Sequence, residues 1–168
     1  MAEIGRIGVV GGGAWGTALA QAAARAGRSV VLWALEPDVV DAINNSRENS
    51  RFLPGIALDP AIRATGRLAE VAHTDAVLMV APAQHLHGVG RALMPFLAAG
   101  VPVVICAKGI ELGSSSLMTE VADAVLPDAP LAVLSGPTFA AEVARGQPTA
   151  VTLACADSGL GARLVEAL

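Results

Sequence analysis

Residues Ile7 to Gly16 read I-G-V-V-G-G-G-A-W-G, and this run narrows the fold more than any other part of the chain. Its G-x-G-x-x-G spacing falls on Gly11, Gly13 and Gly16. Ile7, Val9 and Val10 precede it as a short apolar run, the pattern of a strand buried on both faces. Thr17 to Ala26 follow as an Ala-rich helix that Gly27 closes. Val30 to Trp33 form a second apolar run and complete a β-α-β unit. Each glycine has its own reason. Gly11 allows the tight turn off the strand. Gly13 has no side chain, so a pyrophosphate can approach the backbone. Gly16 lets the helix lie close on the sheet. The unpaired N–H groups and positive dipole end at the start of that helix suit a phosphate. A flexible turn explains the glycines alone, but not their register with strand, helix and second strand.

The rest of the chain keeps the alternation going. Strands are expected at Ile7–Val10, Val30–Trp33, Ala76–Val80, Val101–Cys106, Leu131–Leu134 and Ala150–Ala154, with a weaker extended piece near Ile62–Ala64. Helices are expected at Asp38–Asn45, Leu86–Leu97, Leu117–Val125, Thr138–Arg145 and Ser158–Leu168. This predicts an α/β fold, a Rossmann-type doubly wound, mostly parallel sheet with helices on both faces. Its ligand crevice should lie outside the carboxyl ends of the strands. Residues 44–60 form the longest irregular stretch. They carry F-L-P-G at Phe52–Gly55 and are expected to reach back over the nucleotide.

Composition agrees and excludes other classes. Hydrophobic residues make up 54% of the 168 and charged ones 15%, which fits a sheet covered on both faces. No apolar run reaches the ~20 residues of a membrane span. Net charge is −4, and no basic stripe with interleaved aromatics offers itself to nucleic acid. Cys106 and Cys155 fall in apolar runs and form neither a C-x-x-C pair nor a disulfide framework, so a reducing cytoplasm is expected. The first six residues do not read as a signal peptide. Residues 1–168 are read as one NAD(P)-binding domain. The closing helix has no stop signal after it, so the chain is expected to be a fragment of a longer protein.

The end of the second strand reads the adenosine ribose. An acidic residue about 20 positions past the glycines binds the hydroxyls of NAD. Glu36 stands 20 residues after Gly16, although a solvated glutamate at a helix start before Pro37 is an equal alternative. No arginine occupies positions 34–36 to hold the 2′-phosphate of NADP, and Arg47 and Arg51 are the nearest. The cofactor is thus left as NAD or NADP. Lys108 is the only lysine, against ten arginines, and follows a strand in A-K-G-I. There a compact ammonium can bind a substrate oxygen or phosphate and oppose charge developing on a carbonyl; the plain alternative is a surface lysine. In L-S-G-P-T-F-A-A-E, Leu134 to Glu142, a strand ends in a Gly-Pro turn and Thr138 is expected to cap a helix. Val80-Ala81-Pro82 ends another strand on the expected nicotinamide side. His85 and His87 read as surface or helix-start residues, and His73 is isolated. Ser114 to Ser116 lead into a helix cap rather than forming a nucleophile. No zinc site, triad or Walker A loop is present in the sequence.

Taken together, the motifs resemble the bacterial NAD(P)-dependent glycerol-3-phosphate dehydrogenases. They are G-G-G-A-W-G-T-A-L-A (Gly11–Ala20), V-V-L-W (Val30–Trp33), F-L-P-G-I (Phe52–Ile56), A-P-A-Q (Ala81–Gln84), A-K-G-I-E (Ala107–Glu111), L-S-G-P-T-F-A-A-E-V-A (Leu134–Ala144) and P-T-A-V (Pro148–Val151). The resemblance implies reduction of dihydroxyacetone phosphate by NAD(P)H to sn-glycerol 3-phosphate, for phospholipid synthesis. It implies cofactor contacts at Ala14, Trp15, Leu35, Phe52, Lys108 and Ala140, which join Gly11, Gly13 and Gly16 of the fingerprint, Glu36 by its spacing and Pro82 by its strand end. It implies substrate contacts at Lys108, Gly136 and Thr138, with Lys108 the catalytic residue within the chain. Leu35 stands where the family often has arginine or histidine, which puts NADP preference in doubt. Phe52 replaces the more usual tyrosine. The family's proton-transfer lysine lies in a following helical domain, beyond residue 168, so the fragment alone is expected to bind nucleotide with little turnover. The expected partner is a small phosphorylated substrate, and a homodimer is left open for the full-length protein. Two alternatives stay open: a dehydrogenase of the β-hydroxyacid type acting on 6-phosphogluconate, and a non-catalytic NAD(P)-binding module. A purely structural domain leaves the glycine loop unexplained.

Overall fold

A computed structural model describes residues 3–168; Met1 and Ala2, the start of the N-terminal stretch, lie outside the described residues. The chain runs through strand β1 (Arg6–Val10), helix α1 (Ala14–Arg25), β2 (Ser29–Trp33), α2 (Pro37–Ser46), β3 (Ile62–Thr65), α3 (Leu68–Ala72) and β4 (Ala76–Met79). It continues through α4 (Ala83–Leu93), β5 (Val103–Ile105), α5 (Met118–Val125), β6 (Leu131–Ser135), α6 (Ala140–Ala144), β7 (Thr152–Cys155) and α7 (Ser158–Ala167). The strands form one sheet in the order β3-β2-β1-β4-β5-β6-β7. The first six run parallel, with Val9 of β1 opposite Leu32 on one side and Leu78 on the other. β7 closes the edge antiparallel to β6, Ser135 opposite Thr152. The chain winds outward one way from β1 to β3 and the other way from β4 to β7. The carboxyl ends of β1 and β4 therefore flank the switch point, where such sheets open a crevice.

The period-two pattern of the strands separates two apolar layers. Ile7, Val9, Leu32 and Leu78 pack on one face against Ala20 and Ala23 of α1, Ile43 of α2 and Leu164 of α7. Val10, Val31, Val77 and Met79 pack on the other against Val71 of α3, Leu86 and Leu93 of α4 and Val121 of α5. Full burial of one such side chain is worth about 1.5–3 kcal/mol relative to exposure. The fold class is the one the sequence implies.

Several boundaries differ, each for a local reason. α1 begins at Ala14, inside the glycine motif, because the turn needs only Gly11 to Gly13. The strand expected over Val101–Cys106 pairs only over Val103–Ile105, and Pro102 has no N–H for a ladder. α4 starts at Ala83, directly after Pro82, and ends at Leu93; Met94–Phe96 form a 3-10 turn around Pro95. The weak candidate near Ile62 is a paired edge strand, β3. α3 was not expected: five residues are too few for a helical period to show. Gly27 does follow α1, with φ of 83°.

Candidate functional site

The glycine turn leaves β1 and enters α1 with no intervening linker. Gly11 has φ of 128°, which L side chains rarely adopt, and its N–H donates to the Trp33 carbonyl at 3.0 Å. A Cβ on Gly16 would lie 1.8 Å from the Gly11 carbonyl oxygen, so only glycine lets the helix start this close. Gly13 differs from both. It is exposed, and a Cβ there would meet nothing within 4 Å. That open face leaves the backbone free for a ligand. Gly13 is also the N-cap residue of the 12-residue α1 and has no side chain to satisfy the first N–H groups.

A cleft of about 600 Å³ opens over this turn. Trp33, Leu35, Glu36 and Phe52 line one part of it, and Val80, Ala81, Pro82 and His85 another. A second hollow, of about 480 Å³, shares Ala14, Trp15, Val80, Ala81 and Pro82 with the first. It adds Cys106, Lys108, Thr138, Phe139 and Ala140. The lone lysine thus stands on the same rim of the sheet as the glycine turn. All the residues proposed from sequence line these two hollows except Gly136, whose carbonyl accepts a 2.8 Å hydrogen bond from Lys108 Nζ. That bond ties the loop after β5 to the loop after β6. It occupies one of the three ammonium protons.

A larger hollow, about 670 Å³, lies between the C-terminal parts of α4 and α5 and includes Arg91, Pro95, Leu126 and Asp128. It sits at the amino ends of β5 and β6, away from the switch point, and holds no glycine turn. Among the described residues no cluster of three or more His, Cys, Asp or Glu side chains is placed to hold a metal ion. Among the same residues, no helix is long and apolar enough to cross a membrane.

Three polar side chains support the site through contacts that the sequence does not show. Asn49 is fully buried in the loop after α2. Its Nδ2 donates to the Gly12 carbonyl at 2.8 Å and to Thr17 Oγ1 at 2.8 Å, while its Oδ1 accepts from the Phe52 N–H at 3.1 Å. One amide therefore joins the glycine turn, α1 and the loop that carries Phe52. The reach of residues 44–60 back to the turn is real, and Asn49 holds it. Gln84, in the first turn of α4, clasps the loop after Lys108: Nε2 donates to the Ile110 carbonyl at 2.8 Å and Oε1 accepts from the Leu112 N–H at 2.9 Å. Arg25, at the end of α1, donates from Nη1 to the Val143 carbonyl at 3.0 Å and from Nη2 to the Ala144 carbonyl, so it caps the end of α6. In the sequence Asn49 and Arg25 resemble any solvated loop or helix residue, and Gln84 stands in the A-P-A-Q motif without a sign of its partner.

One expectation needs correction. Thr138 does not cap α6. Phe139 holds the N-cap position in extended geometry and the helix begins at Ala140. The Gly136-Pro137 turn keeps Thr138 outside the helix, where it lines the second hollow. His85 stands, as expected, exposed at a helix start, in the first turn of α4, and it lines the cleft as well. Its neighbour His87 turns toward Glu111, 3.6 Å away. Ser116 does lead into α5, where Glu120 accepts from the Leu117 N–H at 2.7 Å. Cys106 lines the second hollow but is buried, and burial pushes its thiol up to about 12. It stays protonated at neutral pH and is no nucleophile.

The chain is similar to known proteins in sequence and in fold. Residues 6–160 match the family described as NAD-dependent glycerol-3-phosphate dehydrogenase N-terminus. A protein of Paramagnetospirillum magneticum named glycerol-3-phosphate dehydrogenase (NAD(P)+) is 66% identical over 97% of this chain and 59% of its own length. One of the same name from Caulobacter vibrioides is 59% identical over 97% of this chain and 49% of its own. The crystal structure of glycerol-3-phosphate dehydrogenase from Coxiella burnetii is 36% identical, with a TM-score of 0.91 over 99% of this chain and 51% of that one. The chain thus spans half to three-fifths of the length of these relatives.

Proposed function

This chain belongs to the NAD-dependent glycerol-3-phosphate dehydrogenase N-terminal family, and from that membership we propose that it supplies the cofactor half of an enzyme reducing dihydroxyacetone phosphate. The overall change is dihydroxyacetone phosphate plus NAD(P)H and a proton to sn-glycerol 3-phosphate plus NAD(P)+. The observation that carries the proposal is the shared wall of the two hollows: the open face of Gly13 and the ammonium of Lys108 front one continuous crevice.

The residues fit a dinucleotide. Gly13 and the first N–H groups of α1 take the diphosphate. Leu35, Glu36 and Phe52 stand at the adenosine end, and Pro82 and Ala140 flank the nicotinamide end. The bound, reduced nicotinamide supplies a hydride. Lys108, with two ammonium protons left after its bond to Gly136, holds the substrate's carbonyl oxygen and opposes the negative charge that develops on it. The Thr138 hydroxyl and the Gly136 backbone complete the substrate side. The new alkoxide needs a proton, and a lysine in a following helical domain is proposed to deliver it. Residues 1–168 alone therefore bind nucleotide with little turnover. The partner is a small phosphorylated ketone rather than nucleic acid or membrane. Two free thiols suit a cytoplasmic site. A homodimer is proposed for the full-length protein only.

NAD(P)H oxidation by the full-length protein tests this. Turnover with dihydroxyacetone phosphate is expected, and none in the reverse sense, when 6-phosphogluconate, an alcohol, is offered with NAD(P)+. The opposite ranking would replace it with the β-hydroxyacid alternative.

A further inference from the structure

We infer that the adenosine end of the cleft is built for a free ribose 2′-hydroxyl, so that this chain takes NADH in preference to NADPH. The inference rests on the dinucleotide site proposed above and names which of the two nucleotides it selects.

After β2 the backbone passes through buried Ala34 and exposed Leu35 to Glu36, the N-cap residue of α2. The side chains that accept from the first helical N–H groups are the short ones of Ser, Thr, Asp and Asn, and a glutamate is left free of that role. Here Glu36 makes no such bond, and it takes part in no ion pair among the described residues. Its residue lines the cleft instead, and it is the only Asp, Glu, Lys or Arg that does. An unpartnered carboxylate at that point is a ready acceptor for a hydroxyl, in a charge-assisted bond.

A 2′-phosphate needs the reverse. As a monoester it carries between one and two negative charges and calls for a cation. Leu35, 75% exposed and lining the cleft, offers no donor. Four arginines are near in sequence or follow the adjoining strand β3, and all are engaged elsewhere. Arg28 pairs with Glu3 at 2.8 Å, and Arg67 with Glu70 at 3.6 Å. Arg47 donates to the Ile62 carbonyl at 2.9 Å. Arg51 pairs with Asp38 at 3.1 Å and lies over the Phe52 ring at 5.1 Å. None of the four lines the cleft. Among the residues that line the cleft a phosphate meets one carboxylate and no arginine or lysine, and repulsion follows from Coulomb's law.

Binding separates the two nucleotides without any need for turnover. Titration of this chain with NADH and with NADPH, followed by nucleotide emission excited through tryptophan, should give at least a tenfold tighter Kd for NADH at low salt. Glu36→Gln should weaken NADH and tighten NADPH, narrowing the ratio at least threefold. Leu35→Arg, at an exposed position that packs on nothing buried, should narrow it further. Circular dichroism and Tm check that both variants fold. Equal or tighter binding of NADPH to the wild type, or a ratio unmoved in both folded variants, overturns the preference while leaving the site intact. Binding of neither nucleotide overturns the site and the preference together.

Discussion

Replacing Asn49 by alanine should cost more stability than any ordinary loop substitution. The side chain makes three hydrogen bonds, to the Gly12 carbonyl, to Thr17 Oγ1 and from the Phe52 N–H. Asn49, Gly12 and Thr17 are all buried, so water does not replace the lost donors at the first two. A buried polar group stripped of its partner costs about 1–3 kcal/mol. Thr17 Oγ1 has only a 3.5 Å contact with the Gly12 carbonyl to fall back on. The Phe52 N–H is half-exposed and recovers most of its bond from water. The sum is about 3–5 kcal/mol, taken as two buried losses plus a small third. For a domain of this size each kcal/mol moves Tm by about 2–4 °C, so the fall should be about 6–20 °C. Thermal unfolding followed by far-ultraviolet circular dichroism reads it directly. Asn44→Ala is the control, since Asn44 is itself only half-buried where its amide bonds the Ala64 backbone. A fall under about 2 °C for Asn49→Ala would refute the reasoning, because water would then be reaching the glycine turn.

Three further substitutions or reagents separate fold from chemistry. Gly13→Ala should leave Tm within about 2 °C, since φ of −71° suits alanine and the space is open, yet weaken NADH binding by tenfold or more, ~1.4 kcal/mol. Unchanged affinity, measured by fluorescence titration, would mean the diphosphate does not approach there. In the full-length protein Lys108→Ala should lower turnover with dihydroxyacetone phosphate by ~10²-fold, the scale of one preorganised polar contact. An unchanged steady-state rate would remove Lys108 from the mechanism. Cys106, held up to about 12, should resist iodoacetamide at pH 8 in the folded chain, leaving Cys155 as the thiol that reacts. Its raised value also means that stability present below the ordinary thiol value of 9.0 is lost as pH climbs toward 12, because the unfolded chain releases the proton first. Mass spectrometry showing two fast adducts, or stability flat across that range, would contradict the burial.

The fold was legible because local signals agreed with the tertiary ones. Ile7–Val10 and Val30–Trp33 are apolar throughout, as strands covered on both faces must be, and Gly11, Gly13 and Gly16 fix the turn between strand and helix. Lys108 stood out by composition alone. What escaped was short or depended on distant partners. α3 has five residues, too few for a period. Thr138 reads as a cap, but the turn at Gly136-Pro137 delays the helix by two residues. Asn49 looks like a solvated loop asparagine until Gly12, 37 positions away, is found beneath it. Glu36 is ambiguous in sequence because a helix start before Pro37 and a ribose acceptor look alike there; the structure makes it the N-cap residue of α2 and also places it on the cleft.

The central claim is that a dinucleotide lies across the glycine turn. The chain's two tryptophans, Trp15 and Trp33, both line that cleft, so their emission reports on it. Addition of NADH should quench the tryptophans saturably and produce nucleotide emission excited through them. No saturable transfer up to about 1 mM NADH, an affinity of only about −4 kcal/mol, would contradict the account.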